Sequence, residues 1–198
     1  MQPFRRHRGR VALLDRANVD TDQIIPKQFL KRLERTGFGE FLFFDWRYDA
    51  GQQPRPDFSL HRPEAAGATI LLTRRNFGSG SSREHAVWAL VDYGFRAVIA
   101  PSFADIFYNN ATKNGLLPIT LPEETVEQLF QRAGTGKPYE LDIDLESCRL
   151  FDDAGLQASF EVEPYVRTML LNGWDEIELT LQHEDRIAAY ERARGMVP

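Results

Sequence analysis

The stretch Ala68–Ala100, ATILLTRRNFGSGSSREHAVWALVDYGFRAVIA, decides the architecture. Its opening residues, Ala68–Thr73, form an apolar run bounded by Gly67 and by Arg74-Arg75-Asn76, the pattern of a short buried strand. From Glu84 to Tyr93, Ala86, Ala89, Leu90 and Tyr93 recur at helical spacing, and Gly94 supplies the stop. Phe95–Ala100 is again strand-like and ends at Pro101. Strand, helix and strand in this order predict a parallel sheet with helices packed on it.

Upstream, Arg10–Leu14 predicts another short buried strand. The Gln52–Pro63 stretch, with Pro54, Pro56 and Pro63, is poor material for regular structure and is expected to be exposed. Downstream, Ser102 with Asp105 reads as a cap for a helix over Phe103–Lys113, closed by Asn114-Gly115. A strand at Leu117–Thr120 follows. Pro122, Glu123 and Glu124 then start a helix that Gly134 or Gly136 ends. Tyr139–Leu145 and Leu156–Val162 alternate on either side of a Cys148–Phe151 strand, predicting antiparallel hairpins. After Glu163-Pro164 the chain is helical, with a break at Gly173 and a polar helix around Asp185–Arg194. The expected fold is mixed α/β: a parallel core sheet with helices, joined by a smaller antiparallel sheet. Residues 1–198 read as one domain with a C-terminal helical extension over about 164–198.

The 198 residues carry 24 Lys+Arg against 29 Asp+Glu, a net charge of −5 with histidine neutral. That length supports a real core, and 14 Phe, 6 Tyr and 3 Trp within 42% hydrophobic residues exclude a disordered chain. Cys148 is the single cysteine. It excludes an internal disulfide, a multi-thiolate zinc site and an iron–sulfur cluster held by this chain alone. Net acidity argues against a nucleic-acid partner. Arg5, Arg6, Arg8 and Arg10 with His7 form a local basic arm, expected to be a solvated terminus. The apolar run after that arm, Val11–Leu14, is too short for an export signal. Nowhere do roughly 18 apolar residues run together, so no membrane segment is expected and the protein reads as soluble and cytoplasmic. The glycosylation sequon Asn110-Ala111-Thr112 is then accidental.

Between strand and helix, Asn76–His85 (NFGSGSSREH) concentrates the chemistry. Gly78 and Gly80 permit positive φ and close backbone approach. The chain then enters a helix whose first N–H groups lack internal partners, and these make an anion site with the positive end of the helix dipole. Arg83 adds a planar fork suited to carboxylate or phosphate, and Ser81 and Ser82 lie where hydroxyls reach the same place. Nucleotide readings fail, because Arg83 holds the third-glycine position of the dinucleotide pattern and the P-loop lysine and spacing are missing. No Gly-x-Ser-x-Gly elbow is present. Ser81 or Ser82 could pair with His85 as nucleophile and base, although a base one turn along the same helix aims poorly at its neighbour. Equally, Ser81 or Ser82 could only cap the helix, with Glu84 and His85 as first-turn residues. A second segment, Asn18–Pro26 (NVDTDQIIP), follows the first strand and, with Asp15, places acids in a turn beside Ile24 and Ile25. It reads as an Asx turn or N-cap, or as a carboxylate, Asp22, that orients an arginine or substrate group at the same end of the sheet.

Together these segments resemble one family, the small subunit of 3-isopropylmalate dehydratase (isopropylmalate isomerase), the separately encoded counterpart of the swivelling C-terminal domain of aconitase. The resemblance rests on Asn18–Pro26, Arg35-Thr36-Gly37-Phe38-Gly39, Phe77–His85 (FGSGSSREH) and Ile106–Ile119 (IFYNNATKNGLLPI). It implies a three-layer β/β/α swivelling domain and a hydro-lyase that interconverts 2- and 3-isopropylmalate through 2-isopropylmaleate in leucine biosynthesis. The family loosens the substrate hydroxyl with a [4Fe–4S] cluster acting as a Lewis acid. Cys148 cannot hold that cluster alone, so the resemblance implies a cluster-binding large subunit as partner, a small dicarboxylate as substrate and no metal ligand here. By the family motif Ser81 is the base. Arg83, helped by backbone N–H groups around Gly80, stabilises its alkoxide and binds substrate carboxylate with Ser82, while Asp22 and Thr21 orient the site. Glu84 and His85 are supports behind these groups. Leu30 and Leu33 are apolar candidates for contact with an isopropyl group, and Arg32 and Arg35 are candidate carboxylate ligands. Related readings are the small subunit of a homoaconitase or of a citraconate or methylmalate hydratase, differing in the Leu30–Thr36 loop. A non-enzymatic reading is an anion-binding regulatory module.

Overall fold

In the computed structural model, which describes residues 1–31 and 36–196, the organising element is β1 (Arg6–Leu14), a strand of nine residues with two different partners. Val11–Leu14 pair in parallel with β2 (Ile70–Thr73), whereas Arg6–Arg10 pair antiparallel with β5 (Glu140–Asp144). Beyond β2, β3 (Ala97–Ala100) and β4 (Leu117–Thr120) continue the parallel half. Beyond β5, β6 (Arg149–Phe151) and β7 (Gln157–Ser159) complete the antiparallel half. The expected parallel and antiparallel sheets are thus two halves of one seven-stranded sheet, in the order β4-β3-β2-β1-β5-β6-β7.

The basic arm is not a solvated terminus. Arg6, Arg8 and Arg10 alternate along β1 and stand in register with Asp144, Asp142 and Glu140 of β5. Arg6 pairs with Asp144 at 3.1 Å, and Arg8 pairs with Asp142 at 3.0 Å and Glu140 at 2.9 Å. Arg6 and Arg8 are exposed while Asp144 is buried, and a slip of one residue would put every charge on the wrong face, so the ladder specifies register.

Helices cover both faces of the parallel half. The strands of this half read as continuous apolar runs because both faces are buried. On one face, Leu71 and Val98 pack with Ala86, Val87, Ala89 and Leu90 of α3 (His85–Tyr93) and with Phe107 and Ala111 of α4 (Asp105–Lys113). On the other, Ile70, Leu72 and Ile99 meet Val126, Leu129 and Phe130 of α5 (Glu123–Ala133) and Leu141, Ile143 and Leu150 of the antiparallel half. α3 ends at Gly94, as its sequence predicts. Two expectations are corrected. Ser102 does not cap α4, whose first residue follows Ala104 with no side-chain cap; its hydroxyl instead accepts the Asn76 N–H at 2.9 Å. The Gln52–Pro63 stretch is exposed over Gln52–Asp57 and again at Arg62 and Pro63, but Phe58 is buried and a 3-10 turn over Ser59–His61 buries Leu60 beside it.

Three helices end the chain. α6 (Pro164–Asn172) is anchored by buried Met169 and Leu170, and the Leu170 carbonyl accepts the Phe4 N–H at 2.8 Å. α7 (Glu176–Leu181) and α8 (Glu184–Ala193) bury no residue. Among the described residues, no helix is long and apolar enough to cross a membrane.

Candidate active site

β1 and β2 are neighbours and run parallel, so the loops that leave their C-terminal ends meet above the same sheet edge. Each loop opens on an asparagine in the left-handed region, Asn18 and Asn76, both at φ +57°, a conformation that asparagine tolerates better than most residues. The Asn76 side-chain amide donates to the Asn18 Oδ1 at 3.0 Å, and the Asn18 N–H donates to the Arg75 carbonyl at 2.9 Å. The Val19 carbonyl accepts the N–H groups of Gly78 (2.8 Å) and Ser79 (3.2 Å), and Thr21 N–H donates to the Ser79 carbonyl at 2.8 Å. Thr21, buried, then accepts the Ser81 N–H on its hydroxyl at 3.1 Å. The two sequence segments are therefore stitched into one ribbon, which fixes Ser81 relative to Thr21.

Gly78 is required twice over. Its φ is +78°, and a Cβ there would stand 2.1 Å from the Phe107 ring. Phe77 is buried edge-on against that ring, with centroids 5.1 Å apart, so the loop is clamped to α4 from below. Gly80, at φ +96°, turns the chain upward beside Thr21. Ser81 and Ser82 follow, both exposed. Neither caps α3, because Glu84 occupies the N-cap position and makes no side-chain cap bond.

Both readings of Asn18–Pro26 hold, on different residues. Asp20 caps the short helix α1 (Thr21–Ile24): its Oδ1 accepts the Gln23 N–H at 2.7 Å, and Gln23 returns the bond to the Asp20 N–H at 3.0 Å. That leaves Asp22 free for Arg83, with which it forms an ion pair, and Lys27 lies 3.5 Å from its other oxygen. The Arg83 side chain is 17% exposed, against 42% for Asp22, so the guanidinium is the more buried member of the pair.

His85 does not serve a serine. Its ring packs edge-on against Phe38 at 5.3 Å and on Trp88 at 4.6 Å, and no hydrogen bond joins it to Ser81 or Ser82 among the described residues. Burial pushes its imidazole below the ordinary value, Glu84 opposes this and Arg83 adds to it, so the site favours the neutral ring. Glu84 instead accepts from the side-chain amide of Asn114 at 2.8 Å. Leu30 packs half-buried against the core at the start of its loop, beside Phe29, which stacks on Phe41 at 4.0 Å. Leu33, Arg35 and Arg32 lie outside the described residues. A cavity of 840 Å³ opens at the C-terminal end of α3, lined by Arg47, Tyr48, Asp92 and Tyr93, and does not include Ser81, Ser82 or Arg83.

The sequence pointed to no part in the site for Asn110 or Trp88, and marked Asn114 only as a helix stop. Their signal was the spacing of two asparagines one turn apart on α4, inside a motif read only as part of a resemblance. Nor do this chain's residues fit an iron–sulfur cluster. Among the described residues, no group of three or more His, Cys, Asp or Glu side chains is placed to hold a metal ion. Cys148 lies in the β5–β6 turn, its thiol donating to the Leu145 carbonyl at 3.5 Å, by the end of β1 opposite Asn18.

The family model for the aconitase C-terminal domain matches residues 1–124, and that for the C-terminal domain of the 3-isopropylmalate dehydratase small subunit matches 176–195. A further model, LeuD_N, matches 127–164. A 3-isopropylmalate dehydratase small subunit from Rhodopirellula baltica is 66% identical over 98% of this chain and 100% of its own length. The chain belongs to the 3-isopropylmalate dehydratase small-subunit family. A further small subunit, from Bacillus subtilis, is 55% identical over 98% of both chains. A crystal structure of 3-isopropylmalate dehydratase from Methanocaldococcus jannaschii superposes with a TM-score of 0.66 at 26% identity, covering 94% of this chain and 99% of that one. The mixed α/β architecture of this chain is similar to that structure.

Proposed function

We propose that this chain supplies the base and the carboxylate grip of an isopropylmalate isomerase, a hydro-lyase that interconverts 2- and 3-isopropylmalate through 2-isopropylmaleate in leucine biosynthesis. The observation that carries the reading is the joining of Ser81-Ser82-Arg83 to Thr21-Asp22, so that a free hydroxyl pair and an oriented guanidinium share one edge. A single swivelling domain with the helices after residue 164 as its extension would present that edge to a large subunit.

The chemistry needs a proton taken from carbon, a hydroxyl loosened and two carboxylates held. A [4Fe–4S] cluster on the large subunit would loosen the hydroxyl. On this chain, Ser81 Oγ takes the proton. A serine hydroxyl is a poor base near neutrality, so its alkoxide needs preorganised positive charge, which Arg83 and the positive end of the α3 dipole supply. Asp22 holds one side of the Arg83 fork, leaving the other for substrate carboxylate, which Ser82 also binds. Thr21 sets the height of Ser81 by accepting its N–H. Leu30, with Leu33 and Arg35 beyond it, would meet the substrate side chain and decide between isopropylmalate and the homocitrate or methylmalate types.

Ser81 and Ser82 are exposed on the isolated chain, where water screens Arg83 and solvates any alkoxide. Closure by the partner is therefore part of the mechanism. The lone chain should show no dehydration of 3-isopropylmalate, and addition of a cluster-loaded large subunit should restore it. Ser81→Ala should lower kcat of the complex by about 100- to 10,000-fold without loss of assembly. Turnover by the lone chain, or by the Ser81→Ala complex at the wild-type rate, would sink the reading.

A further inference from the structure

We infer that Asn114 is a positioning residue for the Ser81–Arg83 loop, acting through Glu84 and Trp88; this rests on the catalytic reading of Ser81 given above. Asn114 follows the last turn of α4 and is fully committed. Its amide nitrogen donates to the Glu84 carboxylate and to the Asn110 carbonyl, both at 2.8 Å, and its oxygen accepts the Trp88 indole N–H at 3.0 Å. Three pieces of the site are tied by one side chain: the residue immediately after Arg83, the helix that carries His85, and α4. One turn back, Asn110 reaches the Ser82 carbonyl at 3.4 Å, a second, weaker tether on the same loop.

The geometry explains why Glu84 does not cap its own helix. At the N-cap position its carboxylate could accept only the Ala86 or Val87 N–H, and these already donate to the Arg83 and Glu84 carbonyls at 3.3 and 2.9 Å. Asn114 supplies the donor in their place. Trp88, held by the same amide, presses on both His85 and Phe38, with centroids 4.6 and 5.8 Å apart. The loop is thereby fixed from below while Ser81 and Ser82 stay clear above it. An amide is the only neutral group that can donate to Glu84 and accept from Trp88 at once with this shape.

That chemistry gives a test that a purely structural role would not pass. In the complex, Asn114→Ala should lower kcat about 10- to 100-fold with KM much less affected, through misplacement of the loop. Asn114→Asp keeps the shape and the acceptor for Trp88 but sets a second carboxyl against Glu84. While the two share one proton, the donor bond to Glu84 survives; once both are ionised, they repel. The Asn114→Asp complex should therefore work at low pH and lose kcat as pH rises through a raised carboxyl pKa, a limb absent from wild type. Of the other charges near the pair, His85 and Lys113 both interact with Glu84, in wild type and variant alike; Arg83 is paired with Asp22, Lys113 also with Glu176, and Arg6, His7 and Arg96 line a cavity shared with Asn114. Adding Glu84→Gln to Asn114→Asp supplies an amide donor to the new carboxylate and should restore kcat at high pH. A pH profile for Asn114→Asp parallel to wild type, or no recovery in the double variant, would overturn the inference while leaving the role of Ser81 standing. Full activity of Ser81→Ala would overturn both, and the two failures are told apart by that control.

Discussion

Gly78 shows how one residue type can be demanded by two independent constraints. A methyl group there would meet the Phe107 ring and would have to be carried at φ +78°. Gly78→Ala should therefore lower the free energy of unfolding by about 2–4 kcal/mol, read from urea melts, because neither the ring nor the backbone can relax alone. Asp152 makes the opposite case, a buried charge that is satisfied. Burial pushes its carboxyl up, but the Tyr139 hydroxyl, the Leu156 and Ala154 N–H groups and Arg132 all donate to it and together hold it below the ordinary value. A lowered carboxyl pKa contributes stability above the unfolded value, about 3.9, and loses it as pH falls through the folded value. At neutral pH Asp152→Asn should destabilise by about 1–3 kcal/mol, since an amide nitrogen then faces donors. The gap from wild type should narrow as pH falls below the unfolded value and through the lowered folded one, and a gap independent of pH would exclude the carboxylate as its source.

At the scale of elements, the central strands and helices were legible because their signals are local. Leu117–Thr120 is a strand with the expected bounds, and α3 differs from its expected span by one residue at the start. Apolar periodicity and glycine stops act within a few residues of themselves. The first strand was read four residues short, because Arg6–Arg10 carries no apolar run. Its pairing depends on acids about 135 residues away, which no local window contains. Similarly, Ser102 looked like a cap, but the unpaired Asn76 N–H competed for its hydroxyl and won.

At the scale of the whole molecule, two cores share one sheet, and the helices after Gly173 belong to neither. The terminal ammonium of Met1 and Lys113 reach α7 only through ion pairs with Glu178 and Glu176. A chain ended at Asp175 should therefore fold with its unfolding free energy lowered by no more than about 1 kcal/mol, measured by thermal and urea melts. A loss of several kcal/mol would mean that α7 and α8 complete the core. The site follows the same division between local and long-range. A strand, two glycines and a helix start mark Gly78, Gly80, Ser81, Ser82 and Arg83 as a candidate anion-binding turn from their order alone.

Sequence by itself determined the strand–helix–strand core, the Gly78–His85 loop as the candidate site and the want of thiolates for a cluster, since each follows from residue type and near-neighbour spacing. Only the tertiary structure decided that Asp20 caps while Asp22 meets Arg83, and that β1 joins both halves of the sheet. It also decided that Asn114 holds Glu84 from 30 positions away. Those outcomes are competitions between several equally competent donors and acceptors. Folding resolves them by which partners the packed sheet brings within about 3 Å, a distance that sequence spacing does not encode.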